Sequence, residues 1–301
     1  MAIVTSAPGG SAWWNERVPV RARFAGPALL VAVAATLLGA QPSLAASARS
    51  ETHTLGQVQA TLSYTKNGDF DFRDVHLVIK RAGRTVLDAP VPPPCAQCPV
   101  IPSGASANVD SLQLVDLERD GEPEAIVDLF TGGAHCCSFS VIYGYHPGTD
   151  SYSHRTQDWR DPSYNLVDID HDGRPELRSA DARFAYEFTA YVFSAFPVQI
   201  WHYSGGAMVD VTRQFPNQIR HDVKSQRSRY RFLRRHHYDV RGALAAYAAD
   251  EYLLDRGAVG MRLVYNALHR GELKKHDGDF GPFGRKYVKR LRRFLHSLSY
   301  R

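Results

Sequence analysis

Asp168-Ile169-Asp170-His171-Asp172-Gly173-Arg174-Pro175-Glu176 is the stretch that decides how this chain of 301 residues is read. Carboxylates stand at the first, third, fifth and ninth places, and Gly173 at the sixth. A hard Ca²⁺ ion wants six to eight oxygens, and a tight loop with carboxylates on alternate residues turns them toward one point. Glycine permits the sharp reversal that a side chain would obstruct. The backbone carbonyl of Arg174 would add a ligand, so Asp168, Asp170, Asp172, Arg174 and Glu176 form the candidate set. Mg²⁺ suits the set less well, because it keeps several waters and takes few carboxylates. The twelfth place is Ser179 where an EF-hand has Glu, and the flanks alternate like strands, so the loop joins strands rather than helices.

The same spacing opens 52 residues earlier, in Asp116-Leu117-Glu118-Arg119-Asp120-Gly121-Glu122-Pro123-Glu124. Glu118 replaces Asp at the third place, and its extra methylene displaces that oxygen, so a weaker or degenerate site is expected. The two loops form an internal repeat, short of the three units a solenoid needs. VDLERDGEPEAIVDL and LVDIDHDGRPELRSAD resemble the Ca²⁺ loops of the FG-GAP/VCBS class of secreted β-repeats. The resemblance spans Leu112 to Val211. It implies Ca²⁺ held by the loop carboxylates, with Asp116, Glu118, Asp120, Glu122 (through its carbonyl) and Glu124 as the first set. Two repeats are too few for a full propeller. Thr131-Gly132-Gly133-Ala134-His135-Cys136-Cys137 is similar to a segment of uncharacterised bacterial secreted proteins, and no activity comes with that likeness.

Upstream, Val58, Ala60, Leu62 and Tyr64 alternate with polar residues, as do Val75, Leu77 and Ile79. With Asn67-Gly68-Asp69 between them they predict a hairpin. Leu112–Leu117, Ala125–Phe130, Cys137–Tyr145 and Val198–Tyr203 are further strand candidates. A long loop between Asp88 and Asp110 contains Cys95 and Cys98. Four cysteines in an exported chain point to disulfides. Two bridges from Cys95 and Cys98 to Cys136 and Cys137 are the expected pairing, because a bridge between sequence neighbours closes a strained ring. A Zn²⁺ or copper site using the same cysteines with His135, and a Cys137 nucleophile served by His135, are the sharper alternatives. The aromatic run from Phe184 to Trp201 reads as core more readily than as a sugar-stacking platform.

Composition bounds the rest. With 44% hydrophobic and 22% charged residues the chain is neither disordered nor a multi-span membrane protein. Arg17, Arg21 and Arg23 precede the apolar run 25–40, and the small residues Ser43 and Ala45 then stand at −3 and −1 of a cut after Ala45. A signal peptide at 1–45 is therefore expected, leaving no membrane span in the mature chain. Residues 46–212 hold 12 Lys+Arg against 22 Asp+Glu, and residues 213–301 hold 21 against 8. The expected architecture is α+β: an acidic antiparallel β-domain over 46–212 and a basic helical bundle over 213–301.

In that basic part Asp239 is placed to cap a helix over Val240–Arg256, Gly257 to end it and Gly271 to end the next. Tyr287, Val288, Leu291, Phe294, Leu295 and Leu298 recur at helical spacing, opposite Lys286, Lys289, Arg290 and Arg293. Export makes nucleic acid an unlikely reading of these cations. Docking onto the protein's own acids, or contact with an anionic envelope polymer, lipid headgroup or protein partner, fits better. The function expected from sequence is an exported, calcium-stabilised binding or structural module of the cell envelope or extracellular space, leaning away from an enzyme. A secreted hydrolase is the alternative. No GxSxG elbow or phosphate-binding GxxxxGK[ST] loop is present.

Overall fold

Twelve strands follow one another as three four-stranded antiparallel meanders in a computed structural model that describes residues 46–105, 109–133, 136–275 and 280–300. The expected signal peptide at 1–45 and His135 lie outside the described residues. The first sheet is β1 (Ser47–Leu55), β2 (Val58–Lys66), β3 (Phe72–Arg81) and β4 (Arg84–Pro90). The second is β5 (Leu112–Val115), β6 (Glu124–Phe130), β7 (Ser138–His146) and β8 (Ser151–Arg160). The third is β9 (Asn165–Val167), β10 (Glu176–Ala180), β11 (Val198–Ser204) and β12 (Ala207–Asp210). In each sheet spatial order follows the chain, so strands consecutive in sequence are antiparallel neighbours, with the long segment Asp181–Pro197 between β10 and β11. The hairpin around Asn67-Gly68 forms as expected between β2 and β3. Ala82 and Gly83 both take positive φ (46° and 81°), the geometry a two-residue turn between β3 and β4 demands.

The sheets stack in sequence order. Val58, Ala60, Leu62, Leu77 and Ile79 of the first sheet share a core with Leu112, Ala125, Val127 and Val141 of the second. On its other face the second sheet offers Ile126 and Ile142, which pack with Leu117, Trp159, Leu177 and Tyr203 toward the third. This two-sided burial is why β6 reads as the nearly unbroken apolar run Ala125–Val127 rather than a clean alternation. Truncating one of these fully buried Leu or Ile side chains to Ala would cost about 2–5 kcal/mol.

Four helices follow: α1 (Pro216–Arg235), α2 (Arg241–Leu253), α3 (Gly257–His269) and α4 (Gly284–Ser297). Val198 and Ile200 of the third sheet form a core with Val211, Phe215 and, in α1, Ile219. The helical core gathers Leu244, Ala248, Val264, Tyr287 and Leu291, and takes in Phe184 and Phe188. Phe184 and Phe188 are therefore core residues, in edge contact with Phe294. The described residues belong to one compact unit and contain no closed barrel or ring of sheets.

One detail of the helical part differs from expectation. Gly257 opens α3 instead of closing α2. Its glycine identity comes from packing, since a Cβ there would collide with the Tyr252 ring. Helix α1 carries a buried stripe at Ile219, Gln226, Tyr230 and Leu233, whose apolar periodicity is broken by the polar Gln226. That side chain is satisfied by donating to the Phe196 carbonyl (3.1 Å). As expected, Asp239 accepts the Arg241 backbone N–H (3.0 Å), and Gly271 follows α3 at φ +74°. Among the described residues no helix is long and apolar enough to cross a membrane.

Candidate metal centre

The two acidic loops occupy the same place in successive sheets. Loop one, Asp116–Glu124, connects β5 to β6, and loop two, Asp168–Glu176, connects β9 to β10, so the 52-residue repeat is one meander. Their backbones match. Arg119 and His171 take φ of 58° and 62°, and Gly121 and Gly173 take 84° and 88°. The first carboxylate of each loop ties the turn together. Asp116 accepts the N–H of Asp120 (3.1 Å) and Gly121 (2.9 Å), and Asp168 those of Asp172 (3.1 Å) and Gly173 (3.0 Å). The fifth carboxylate accepts the N–H two residues on, Asp120 from Glu122 (2.9 Å) and Asp172 from Arg174 (2.7 Å). The ninth, at the start of the following strand, folds back. Glu124 accepts the Leu117 N–H (2.8 Å) and Glu176 the Ile169 N–H (2.7 Å). Both glutamates are almost wholly buried.

Side-chain convergence separates the loops. In loop two, carboxylate oxygens of Asp168, Asp170 and Glu176 lie within 4.8 Å of one another, the one cluster of three or more potential ligand side chains among the described residues. Asp172 is not in that cluster; its carboxylate is engaged by the Arg174 N–H. In loop one Glu118 turns away and accepts the Gly205 N–H (2.8 Å). Glu122 instead pairs through both oxygens with the guanidinium of Arg81, which also lies 3.7 Å over the Tyr145 ring. Burial, reinforced by the negative charge of Glu118 and Asp120, pushes the Glu124 carboxyl up to about 8.

The donor set of loop two fits a hard divalent cation. Three carboxylates crowd one point, a charge arrangement that an ion relieves, and all the donors are oxygen. Asp168, Asp170 and Glu176 would hold it, with Ca²⁺ preferred for its tolerance of irregular oxygen shells. Bound Ca²⁺ would supply counter-charge and cross-link the loop. Two features that sequence reasoning misses serve this point. His202 on β11 sits with Nε2 2.8 Å from Glu176 Oε1, fixing the carboxylate that also takes the Ile169 N–H. The Arg174 side chain reaches into loop one, donating to the carbonyl of Leu117 (3.1 Å), and also to that of Tyr203 (2.5 Å). No sequence signal marks His202, which lies 26 residues from its partner.

A part-buried polar network between the second and third sheets is also invisible in sequence. Asp128 accepts from Ser140 (2.5 Å), Gln113 (2.9 Å) and Tyr164 (3.2 Å), and burial raises its carboxyl above the ordinary range. Trp159 Nε1 donates to Ser140 Oγ (2.8 Å), closing the network. Each polar group is matched, which marks it as structural.

The cysteines pair otherwise than expected. Cys95 bonds Cys98 and Cys136 bonds Cys137, so no bridge joins the long loop to the sheet, and no described cysteine is free. Sequence alternation puts Cys137 within a strand, but β7 begins at Ser138. Cys137 takes φ +86°, and out of the extended conformation its sulfur reaches its neighbour. With both pairs oxidised, neither the Zn²⁺ or copper site nor a Cys137 thiolate has its ligand or nucleophile.

No family model matches the chain, and no solved structure does. Among curated proteins, a probable thylakoid lumen protein of Synechocystis sp. is 31% identical over 162 residues, which cover 52% of this chain and 48% of that protein. An uncharacterized protein of Sinorhizobium fredii is 30% identical over 162 residues, 52% of this chain and 23% of its own length. The chain thus spans about half the length of one relative and about a quarter of the other, and over half of its own length it is similar to a protein named for an exported compartment.

Proposed function

We propose that this is an exported, calcium-stabilised binding or structural module of the cell envelope or extracellular space. The observation that carries the reading is the convergence of Asp168, Asp170 and Glu176 on one point in a preformed loop. The lumenal relative and the Arg-led apolar segment near the N-terminus support export. The FG-GAP/VCBS likeness is supported by the recurrence of the loop at the same place in two successive four-stranded meanders. In this reading Ca²⁺ locks loop two against loop one, and through Arg174 and Glu122 fixes the relation of all three sheets. The secreted-hydrolase alternative loses its cysteine nucleophile, because Cys137 is bonded to Cys136. Calorimetric titration of the decalcified protein with Ca²⁺ tests the proposal. Saturable heat at one site is expected, and no heat above dilution refutes it.

A further inference from the structure

Among the described residues, the cations of α4 outnumber the acids that pair with them. Helices α3 and α4 contain no Asp or Glu, while α4 alone carries six Lys and Arg. Arg290 pairs with Glu187. Arg285, Lys286, Lys289, Arg292 and Arg293 are exposed and have no ion-pair partner among the described residues. The opposite side of α4, through Tyr287, Leu291 and Leu295, is sealed into the helical core, so the helix presents its charge in a fixed orientation. Between α3 and α4 lies a groove of about 610 Å³. Leu268, Val288 and the half-exposed Tyr265 give it an apolar component, and Arg285, Lys289, Arg292 and Arg293 line it as well.

We infer that the α3–α4 face docks on an anionic lipid surface, with phosphate headgroups against the α4 cations and the groove accepting apolar chain next to the headgroup. Charge complementarity selects an anionic partner. A soluble polyanion would use the cations alone, whereas the apolar groove with Tyr265 at its margin suits an amphiphile, since tyrosine settles where an apolar and a wet phase meet. With its apolar side already buried, α4 cannot insert as a free amphipathic helix, so the contact is peripheral and electrostatic. Each cation held near such a surface contributes roughly fivefold to partitioning.

Co-sedimentation with vesicles tests this. Every core cluster draws on residues from Val58 onward, so residues 46–301 are used, without the apolar leader. A calcium chelator is present throughout, which separates the result from the metal proposal. Binding is expected to phosphatidylglycerol vesicles and not to phosphatidylcholine vesicles. The triple variant Lys289→Gln, Arg292→Gln, Arg293→Gln should bind the anionic vesicles roughly 100-fold more weakly with an unchanged melting curve. Should that variant not fold, wild-type binding must still fall steeply as salt rises from about 0.05 M to about 0.5 M. Equal binding to both vesicle types, salt-independent binding, or capture by soluble polyphosphate without vesicle binding overturns the inference.

Discussion

Loop one and loop two share a backbone and differ in what their carboxylates do with it. Both reverse through a left-handed fourth residue and a glycine at the sixth, and both fold the ninth carboxylate back onto a backbone N–H. Only loop two then gathers three carboxylates. In loop one Glu118 and Glu122 have been drawn into protein contacts with Gly205 and Arg81, and Glu124 is driven toward its neutral form. The difference teaches that D-x-[DE]-x-D-G-x-P-E specifies a turn, while convergence of its carboxylates depends on whether the third residue stays with the loop or is drawn to a distant partner. One loop acts as a fixed protein joint, and the other retains the charge an ion would need.

The largest expected contrast is in calcium response. At a Ca²⁺ concentration about 100-fold above Kd one site adds about 2.7 kcal/mol of stability. Asp168→Asn with Asp170→Asn should remove most of that rise in calorimetric melting, whereas Asp116→Asn with Glu118→Gln should leave it. Equal loss in both variants would erase the distinction between the loops.

Next is pH. The folded protein holds the Glu124 proton more tightly than the unfolded chain does, since its carboxyl is raised from 4.5 to about 8. That contribution to stability is complete below pH 4.5 and is lost as pH rises through about 8. Glu124→Gln lacks the loss, so denaturant unfolding in chelator should show it matching wild type at about pH 4 and exceeding it by about 2 kcal/mol at about pH 9. A constant difference across that range would mean that Glu124 is ionised throughout.

The seventh place gives a smaller effect. Glu122→Gln weakens a charge-assisted pair with the largely buried Arg81 and should cost about 1–2 kcal/mol in urea unfolding, independent of Ca²⁺. The smallest contrast is between the glycines. Gly121→Ala and Gly173→Ala each force a Cβ into a left-handed conformation, at about 1–2 kcal/mol. The second should show a slightly larger loss, because its Cβ would meet the Arg119 guanidinium at 3.2 Å while Gly121 faces open space. Arg119→Ala should cancel the excess in the same urea titration.

Local signals carry much of this fold. The Asn67-Gly68 hairpin, the strands around both loops, and the Asp239 and Gly271 helix boundaries follow from turn chemistry and periodicity within a few residues. Elements held by distant partners stay hidden. Helix α1 is obscured until Gln226 finds the Phe196 carbonyl. The same divide runs through the site. The ligand candidates of loop two are adjacent in sequence and legible, whereas His202, Arg81 and the reach of Arg174 depend on how sheets stack. The cysteine pairing escapes sequence reasoning because a bridge between sequence neighbours is set aside there as a strained ring, and no local signal marks the left-handed φ of Cys137.

Each sulfur finds its mate within three residues, at Cys95–Cys98 and Cys136–Cys137. Were the chain threaded N-terminus first through a translocation channel, as the proposed export requires, both members of one couple would emerge before either member of the next. Oxidation in order of emergence yields the native connectivity, with no long segment trapped in a covalent lasso. Maturation in an oxidising compartment would then need an oxidant but no shuffling catalyst.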